Sequence, residues 1–386
     1  MPPSRWFSVG SVAGSTPDAG ARAADEALIH DDAKLLIVFC SPSHDLETVV
    51  GQITSCSGGV PLIGCTTAGE IASSGPETSS LVVAALGGDG FVIGTAVATG
   101  ASSDLRTAGA TVARCVPTSE GHPHRALLLL TDGLAGDQQE IVRGAYGVLG
   151  ASVPLVGGSA GDDLRMIETH QLYSDRVLSD SVVAAGIASD APLGIGVRHG
   201  WRPTGEPMLV TRSGGNRVYS LDDRPALDVY LERLGVAEAS MDDRDLTRLA
   251  LTRPLGLSRP DGEAEVRFIG GGDFAERSLL CIAEVPQGGL AWIMEGDSES
   301  VLDATDAACA ISLAALDGRP PLGMLAFDCI ARRGVLGEEG IKTEIDRLTA
   351  HAPGAPVAGF YTYGEIARTG GMRAFYNQTL VVLAIG

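Results

Sequence analysis

The chain spells one uncommon phrase twice. Residues 64–72 read GCTTAGEIA and residues 359–367 read GFYTYGEIA, sharing the frame Gly-x-x-Thr-x-Gly-Glu-Ile-Ala. Pro61 and Pro356 stand three residues before the first Gly of each copy. Around both copies the same order of elements returns, and recurrence of one supersecondary unit constrains architecture more than any single segment does. In the first pass WFSVGSVAG (6–14) is strand-like, and TPDAGARAADEAL (16–28) is a helix entered through Thr16, Pro17 and Asp18. LLIVFC (35–40) is a continuous apolar run, as in a strand buried on both faces. An amphipathic helix (45–56), the strand PLIGCTT and the strand SSLVVAAL (79–86) follow. The unit is strand-helix-strand-helix-strand-strand.

A second pass fills residues 91–189, where PLVGGSAGDD (154–163) matches PLIGCTTAGE with one residue deleted. A third opens with LAWIMEGD and ends in QTLVVLAI. Between them lies a degenerate stretch, with strands near 193–197, 208–211 and 265–269 and a helix near 225–234. The expected fold is α/β in the mixed α+β sense: two pseudo-symmetric halves built from these units, with layered mixed sheets flanked by helices. GWRPTGEP reads as the linker between the halves. The first domain is then 1–200, with units over about 6–86 and 91–189. The second is 201–386, with the degenerate unit over about 207–285 and a clear unit over about 290–385.

Composition narrows the class of function. A formal charge of -20 without a Lys/Arg cluster excludes a phosphate-backbone partner. No apolar run reaches the roughly 18 residues of a membrane helix, and RWFSVGSVAG lacks the basic and apolar regions of a signal peptide. Seven cysteines, odd in number and without CxxC spacing, read as small buried hydrophobes in a reducing compartment. The expected location is cytoplasmic, with neither nucleic acid nor membrane as partner.

The Gly-x-x-Thr-x-Gly-Glu phrase has two readings. In one it is a repeated strand exit, with Glu70 and Glu365 capping local backbone donors. In the other it is a ligand-binding lip at the carboxyl ends of strands. The second reading attaches to the C-terminal copy, where Phe360, Tyr361 and Tyr363 fill the variable positions around Thr362 in a chain of 5% aromatics. GMLAFDCIARR (323–333) delivers Cys329, Arg332 and Arg333 at the end of the preceding strand. Arg332 beside Glu365 and Asn377 offers a planar donor fork for a small carboxylate or amino acid; the bland alternative is an Arg332–Glu365 ion pair pinning two loops. Neither GxSxG, HExxH nor GxxxxGK[ST] occurs, so the protein is not expected to be an enzyme. A thiol or carboxylate site is the weaker alternative.

RPLGL (253–257), FDCIARR, GFYTYGEI and YNQTLVVL (376–383) resemble, in order, the C-terminal domain of the FIST family. IGCTTAGEI, VGGSAGDD, HGWRPTG and LDDRPALDVYLERLG resemble its N-terminal domain. The resemblance covers nearly the whole chain and is to the stand-alone bacterial type, with no length left for an F-box segment. It implies a sensory role in signal transduction, with amino acids proposed as ligands and a signalling partner such as a histidine kinase. It also opens an alternative, because some bacterial members are haem proteins that sense nitric oxide. An axial ligand would then be sought among the histidines. His199, at a strand end in RHGWRP, is the first choice and His44 the second.

Overall fold

The structure is a computed structural model and describes residues 4–14, 16–73, 75, 79–236, 241–258, 264–368 and 374–386. The first copy of the unit runs β1 (Trp6–Val12), α1 (Ala19–Ala27), β2 (Ala33–Cys40), α2 (Leu46–Ser57), β3 (Leu62–Thr66), β4 (Glu70–Ala72) and β5 (Leu81–Gly87). The second runs β6 (Phe91–Thr99), α3 (Leu105–Ala113), β7 (His124–Thr131), α4 (Gln138–Leu149), β8 (Leu155–Ser159), β9 (Gln171–Tyr173), β10 (Arg176–Leu178) and β11 (Ser181–Ser189). The third opens with β12 (Leu193–Arg198) and is interrupted. An inserted subdomain follows: β13 (Arg202–Gly214), β14 (Arg217–Leu221), β15 (Arg224–Pro225), α5 (Ala226–Leu234), α6 (Asp243–Thr252), β16 (Leu255–Ser258), β17 (Ala264–Arg267), β18 (Ile269–Asp273), β19 (Ser278–Cys281) and β20 (Leu290–Glu295). The third copy resumes with α7 (Ser298–Ala314), β21 (Gly323–Cys329), α8 (Ile330–His351), β22 (Val357–Thr362), β23 (Glu365–Arg368), β24 (Phe375–Tyr376) and β25 (Leu380–Ile385).

The mixed α+β class expected from the sequence is the class observed. One assignment within it changes. Leu290–Glu295 does not open the third copy, because it pairs with β13 and β16 inside the insertion. That place belongs to β12, which pairs antiparallel with β25 as β1 does with β5 and β6 with β11. α7 lies directly on β12: a Cβ added at Gly196 would meet the Ala308 carbonyl oxygen at 1.9 Å. The insertion puts an unrelated strand next to α7 in sequence, which is what made β20 look like the opener.

The first glycine of each strand exit occupies the same place in its unit. Gly64 lies opposite Val38, Gly157 opposite Leu129 and Gly359 opposite Ala326 in parallel pairs. A Cβ there would meet the partner's carbonyl oxygen at 2.5, 1.9 and 1.8 Å respectively. The glycine is needed because backbone approaches backbone.

After the exit, each chain segment leaves its own sheet. β4 of the first copy pairs with β22 of the third, β23 of the third with β8 of the second, and β9 of the second with β3 of the first. The three sheets are thereby closed in a ring, each lending one short strand to the next. Three backbone bonds repeat the pattern: Tyr361 N to Gly69 O (2.8 Å), Ser159 N to Gly364 O (2.8 Å) and Thr66 N to His170 O (2.9 Å). The exchanged strands cover what would otherwise be open sheet edges.

Inside the ring the three sheets share one core, with Phe39, Phe327 and Phe360 packed ring against ring at 4.9–6.2 Å. Outside, α1 and α2, α3 and α4, and α7 and α8 each cover one sheet through cores of their own. Strands buried on both faces need apolar side chains at successive positions, which is why LLIVFC, LLLL and LVVLAI are unbroken. Each such fully buried side chain contributes about 1.5–3 kcal/mol. The inserted subdomain, a sheet in the order β17-β16-β20-β13-β14-β19-β18, packs α5 and α6 against a separate core.

Gly359→Ala should therefore cost about 2 kcal/mol or more in urea unfolding, as an overpacked site with no flexible neighbour does. Gly147→Ala, on the exposed face of α4 with nothing within 4 Å, should instead gain about 0.5–1 kcal/mol.

Candidate functional site

The Thr-x-Gly-Glu turn proves to be the strand-exit reading of the motif. In the first copy the Thr67 hydroxyl donates to Glu70 Oε1 and accepts the Gly69 N–H at 3.2 Å. Glu70 Oε2 accepts from Ser80 N (3.3 Å) and Ser80 Oγ (2.6 Å), just before β5. In the third copy Thr362 Oγ1 donates to Glu365 Oε1 at 2.5 Å and accepts from Gly364 N at 3.2 Å. Glu365 Oε2 accepts from Thr379 N at 3.1 Å, just before β25. The carboxylate thus fastens the departing turn to the start of the unit's last strand. In the second copy this position is held by Gln171, whose Oε1 accepts the Ser181 N–H at 3.2 Å. The sequence alignment puts Asp162 opposite Glu70, but residues 160–170 make an excursion first, and the amide at Gln171 is the structural counterpart. Asp162 instead orders that excursion, accepting from Met166 N, Ile167 N and Glu168 N at 2.7–3.1 Å.

The residues expected to line a C-terminal pocket do converge near the ends of β21 and β22, but as packed interior. Cys329, Arg332, Tyr361, Thr362, Glu365 and Asn377 are all buried. Arg332 is fully buried and pairs with Asp328 (Nε to Oδ1, 2.5 Å) and Glu344 (Nη2 to Oε1, 2.6 Å), not with Glu365. It also donates to Thr305 Oγ1 (2.9 Å), His199 O (3.2 Å) and Val301 O (3.3 Å), so its fork is used up internally. Burial pushes the Asp328 carboxyl well above the carboxylate range, against the Arg332 charge and with Glu344 beside it. Half-buried Arg333 donates to Ala68 O (2.9 Å) and lies 5.1 Å over the Tyr361 ring. The Tyr363 hydroxyl donates to Asp162 and accepts from Leu164 N (2.8 Å), holding the second copy's excursion. Burial next to Glu365 raises the Cys329 thiol, which suits a packed hydrophobe rather than a nucleophile.

An open site lies elsewhere, between the inserted subdomain and the third unit. A cleft of about 630 Å³ is lined by Arg198 to Pro203, by the first turns of α7 through Ser300, Asp303 and Ala304, and by Ser258, Ala264 and Trp292 of the subdomain. Arg332 donates to the carbonyl of lining residue His199 and to Val301 O in α7. His199 Nδ1 accepts the Trp201 N–H at 3.0 Å, and Nε2–H donates to Ala264 O at 3.1 Å. Burial, with Arg332 and Arg198 nearby, lowers its pKa to about 4 and keeps the ring neutral. Both ring nitrogens are engaged, so His199 has no lone pair to offer iron and does not fit the role of haem ligand. His44, buried in the first unit with Nε2 on Ser79 O (3.0 Å), lies outside the cleft lining. Sequence reasoning touched this cleft only through His199, because GWRPTGEP looked like a linker; Arg198 and Arg202 flanking one of the chain's three tryptophans were the further available signal.

Two outcomes follow from the buried charges. Arg332→Met leaves Asp328 and Glu344 unpaired in the interior and should cost about 3–5 kcal/mol in denaturant unfolding, whether or not a ligand is present. Burial lifts Glu70 from the ordinary 4.5 to about 7 and Glu365 from 4.5 to about 8, in both cases against the hydrogen bonds that favour the anion. The folded state then holds these protons more tightly than the unfolded chain, so their stabilisation is complete below the unfolded pKa and is lost as pH rises toward 7–8. Glu365→Gln, matching the natural amide at Gln171, should keep the fold and flatten the decline of the urea midpoint across that window. An unchanged pH slope would show that Glu365 does not titrate there.

Residues 34–224 match the FIST N domain and residues 226–368 match the FIST C domain. An uncharacterized protein of Methanocaldococcus jannaschii is 30% identical over 157 residues, 38% of this chain and 30% of that protein. An uncharacterized protein of Mycobacterium tuberculosis is 30% identical over 241 residues, 58% of this chain and 59% of that protein, and the same values hold in a second strain. The chain thus spans 30–59% of the length of the curated relatives it matches. With both domain matches falling in order along it, the chain belongs to the FIST family, whose domains are associated with sensing in signal transduction.

Proposed function

We propose that the protein is a cytoplasmic sensor that binds a small molecule in the cleft between the inserted subdomain and the third unit, and reports occupancy to a partner protein. The observation that carries this reading is the cleft itself. It is lined from the FIST-unit side through α7 and from the subdomain side through β16, β17 and β20, where Val266 and Met294 of the subdomain share a core with Val301 and Leu302 of α7. A ligand between them makes contacts that depend on their relative position, which is the requirement for a molecule that shifts a conformational equilibrium. Binding rather than catalysis suits the side chains present. His199 is neutral with both nitrogens engaged, and the Ser300 hydroxyl donates to Asp297 O at 3.1 Å.

Arg332 links the cleft to α8. It joins the backbone carbonyls of His199 and Val301 to Glu344, which lies beyond a break in α8 at Gly337. Movement of these carbonyls therefore acts on both segments of that helix. No helix among the described residues is long and apolar enough to cross a membrane, and the seven cysteines are free thiols; both agree with a cytoplasmic setting. The partner, by analogy with the family, is a signalling protein such as a histidine kinase.

A thermal-shift screen of the full chain against chemically diverse metabolites tests the reading. At a hundred times its Kd a cleft ligand adds about 2.7 kcal/mol of stability, a shift of a few degrees. Ser258→Trp, which places a large ring at an exposed position on the cleft rim, should abolish the shift while leaving the unliganded melting temperature nearly unchanged. Hits that stabilise both chains equally would show that the cleft is not the sensing site.

A further inference from the structure

We propose that Asp328 and Glu344 form a proton-binding site, in which one proton shared between the two carboxyls holds the part of α8 beyond Gly337 against β21. The site is independent of what the cleft binds. Arg332 sets up the arrangement. Its Nε–H and Nη2–H point in parallel from one edge of the guanidinium, the edge that ordinarily grips the two oxygens of a single carboxylate. Here that edge holds two different carboxyls, Asp328 Oδ1 on Nε at 2.5 Å and Glu344 Oε1 on Nη2 at 2.6 Å. Adjacent parallel donors bring their acceptors together, so the two carboxyls abut. All three side chains are at most 1% exposed, and water does not screen the repulsion that two anions would feel there.

The second observation concerns the remaining oxygens. Asp328 Oδ1 is taken by Arg332, and Glu344 Oε1 by Arg332 and by Thr305 Oγ1 at 2.7 Å. The other oxygen of each, Asp328 Oδ2 and Glu344 Oε2, is buried with no donor among the described residues. Orphaned acceptors are costly in an interior, and one hydrogen satisfies both: Asp328 Oδ2–H donates to Glu344 Oε2. Burial raises the Asp328 carboxyl well above the carboxylate range, and the Glu344 charge and hydrogen bond add to it. Tyr361 of β22, Glu365 of β23, Cys309 of α7 and the neutral His199 ring interact electrostatically with the cluster, and none adds positive charge. Arg333 is half-buried and donates to Ala68 O. With the proton in place the cluster holds one cation, one anion and one neutral acid. Its loss leaves two anions on one edge of one cation. Asp328 lies near the end of β21, and Glu344 lies beyond Gly337, whose φ of 64° divides α8, so the repulsion acts between the strand and the second helical segment. Because the folded state holds the proton more tightly than the unfolded chain, the stabilisation is complete below the unfolded value and is lost as pH rises through the folded one.

The test is carbon NMR of the full chain with isotope label at the aspartate γ-carboxyls. At neutral pH the wild type should give an aspartate signal at the position of a protonated acid, absent in Asp328→Asn. A wild-type spectrum with every aspartate at the ionised position would overturn the proposal without need of any variant. Glu344→Gln should return Asp328 to the ionised position, since Arg332 then has one carboxylate to itself. A signal that stays protonated in that variant would show an acid that is buried but not shared. Each single amide variant keeps one anion for Arg332 and should unfold in urea with an equilibrium constant within about tenfold of the wild type's. The double variant strands Arg332 and should raise that constant at least about a hundredfold. As pH rises through the Asp328 titration, the urea midpoint should fall further in the wild type than in either single variant. Equal falls in all three would show that the proton does not hold α8 in place.

Discussion

Three carbonyl groups hold this molecule's geometry together. Gly69, His170 and Gly364 each accept a backbone N–H from a strand exit of a neighbouring unit, and each stands one residue before the short strand that its unit lends. A single strand-helix-strand-helix-strand-strand unit cannot bury both faces of its sheet. Once the three units close into a ring, the inner faces share one core and the helices cover the outer faces. Strand identity, core composition and the repeated phrase all follow from that closure.

The closure puts polar groups in expensive places. Glu70 and Glu365 are buried because a carboxylate can accept simultaneously from the threonine of the turn and from the N–H that opens the last strand. Desolvation opposes their charge, and Gln171 shows that the second unit performs the backbone part of the task with a neutral amide. Arg332 belongs to the same economy of the interior: it gathers Asp328 and Glu344 and fixes β21, α7 and α8 to one another beside the cleft. The open cleft lies where the repeat is broken. The insertion between β12 and α7 adds a second core and, at its seam, the open cleft with Arg198, Trp201, Arg202 and Trp292.

Much of the fold was legible because the determinants are local. Apolar runs marked strands buried on both faces, and the glycines of PLIGC, PLVGG and PVAGF marked the close approaches that the structure contains. What was not legible depends on contacts far apart in sequence. Three residues such as Glu-Ile-Ala carry no signal of which sheet they will join, so the exchange of β4, β9 and β23 could not be read. Gln171 was hidden by the excursion before it, and β12 by the subdomain inserted after it. The site suffered most. A pair of arginines after a buried strand looks alike whether it faces a ligand or, as Arg332 does, two buried acids. Arg202, which does line an opening, sits in a stretch whose Pro and Gly made it look like a linker.

Hydrogen exchange followed by mass spectrometry would decide whether the ring is closed as described. Peptides covering β4, β9 and β23 should stay protected as long as those covering β2, β7 and β21, opening only with global unfolding, since each lent strand is as integral as the strands it joins. Exchange of the three short strands within seconds, while the central strands remain protected, would show that they are frayed edges and that the three units are not bound by exchange.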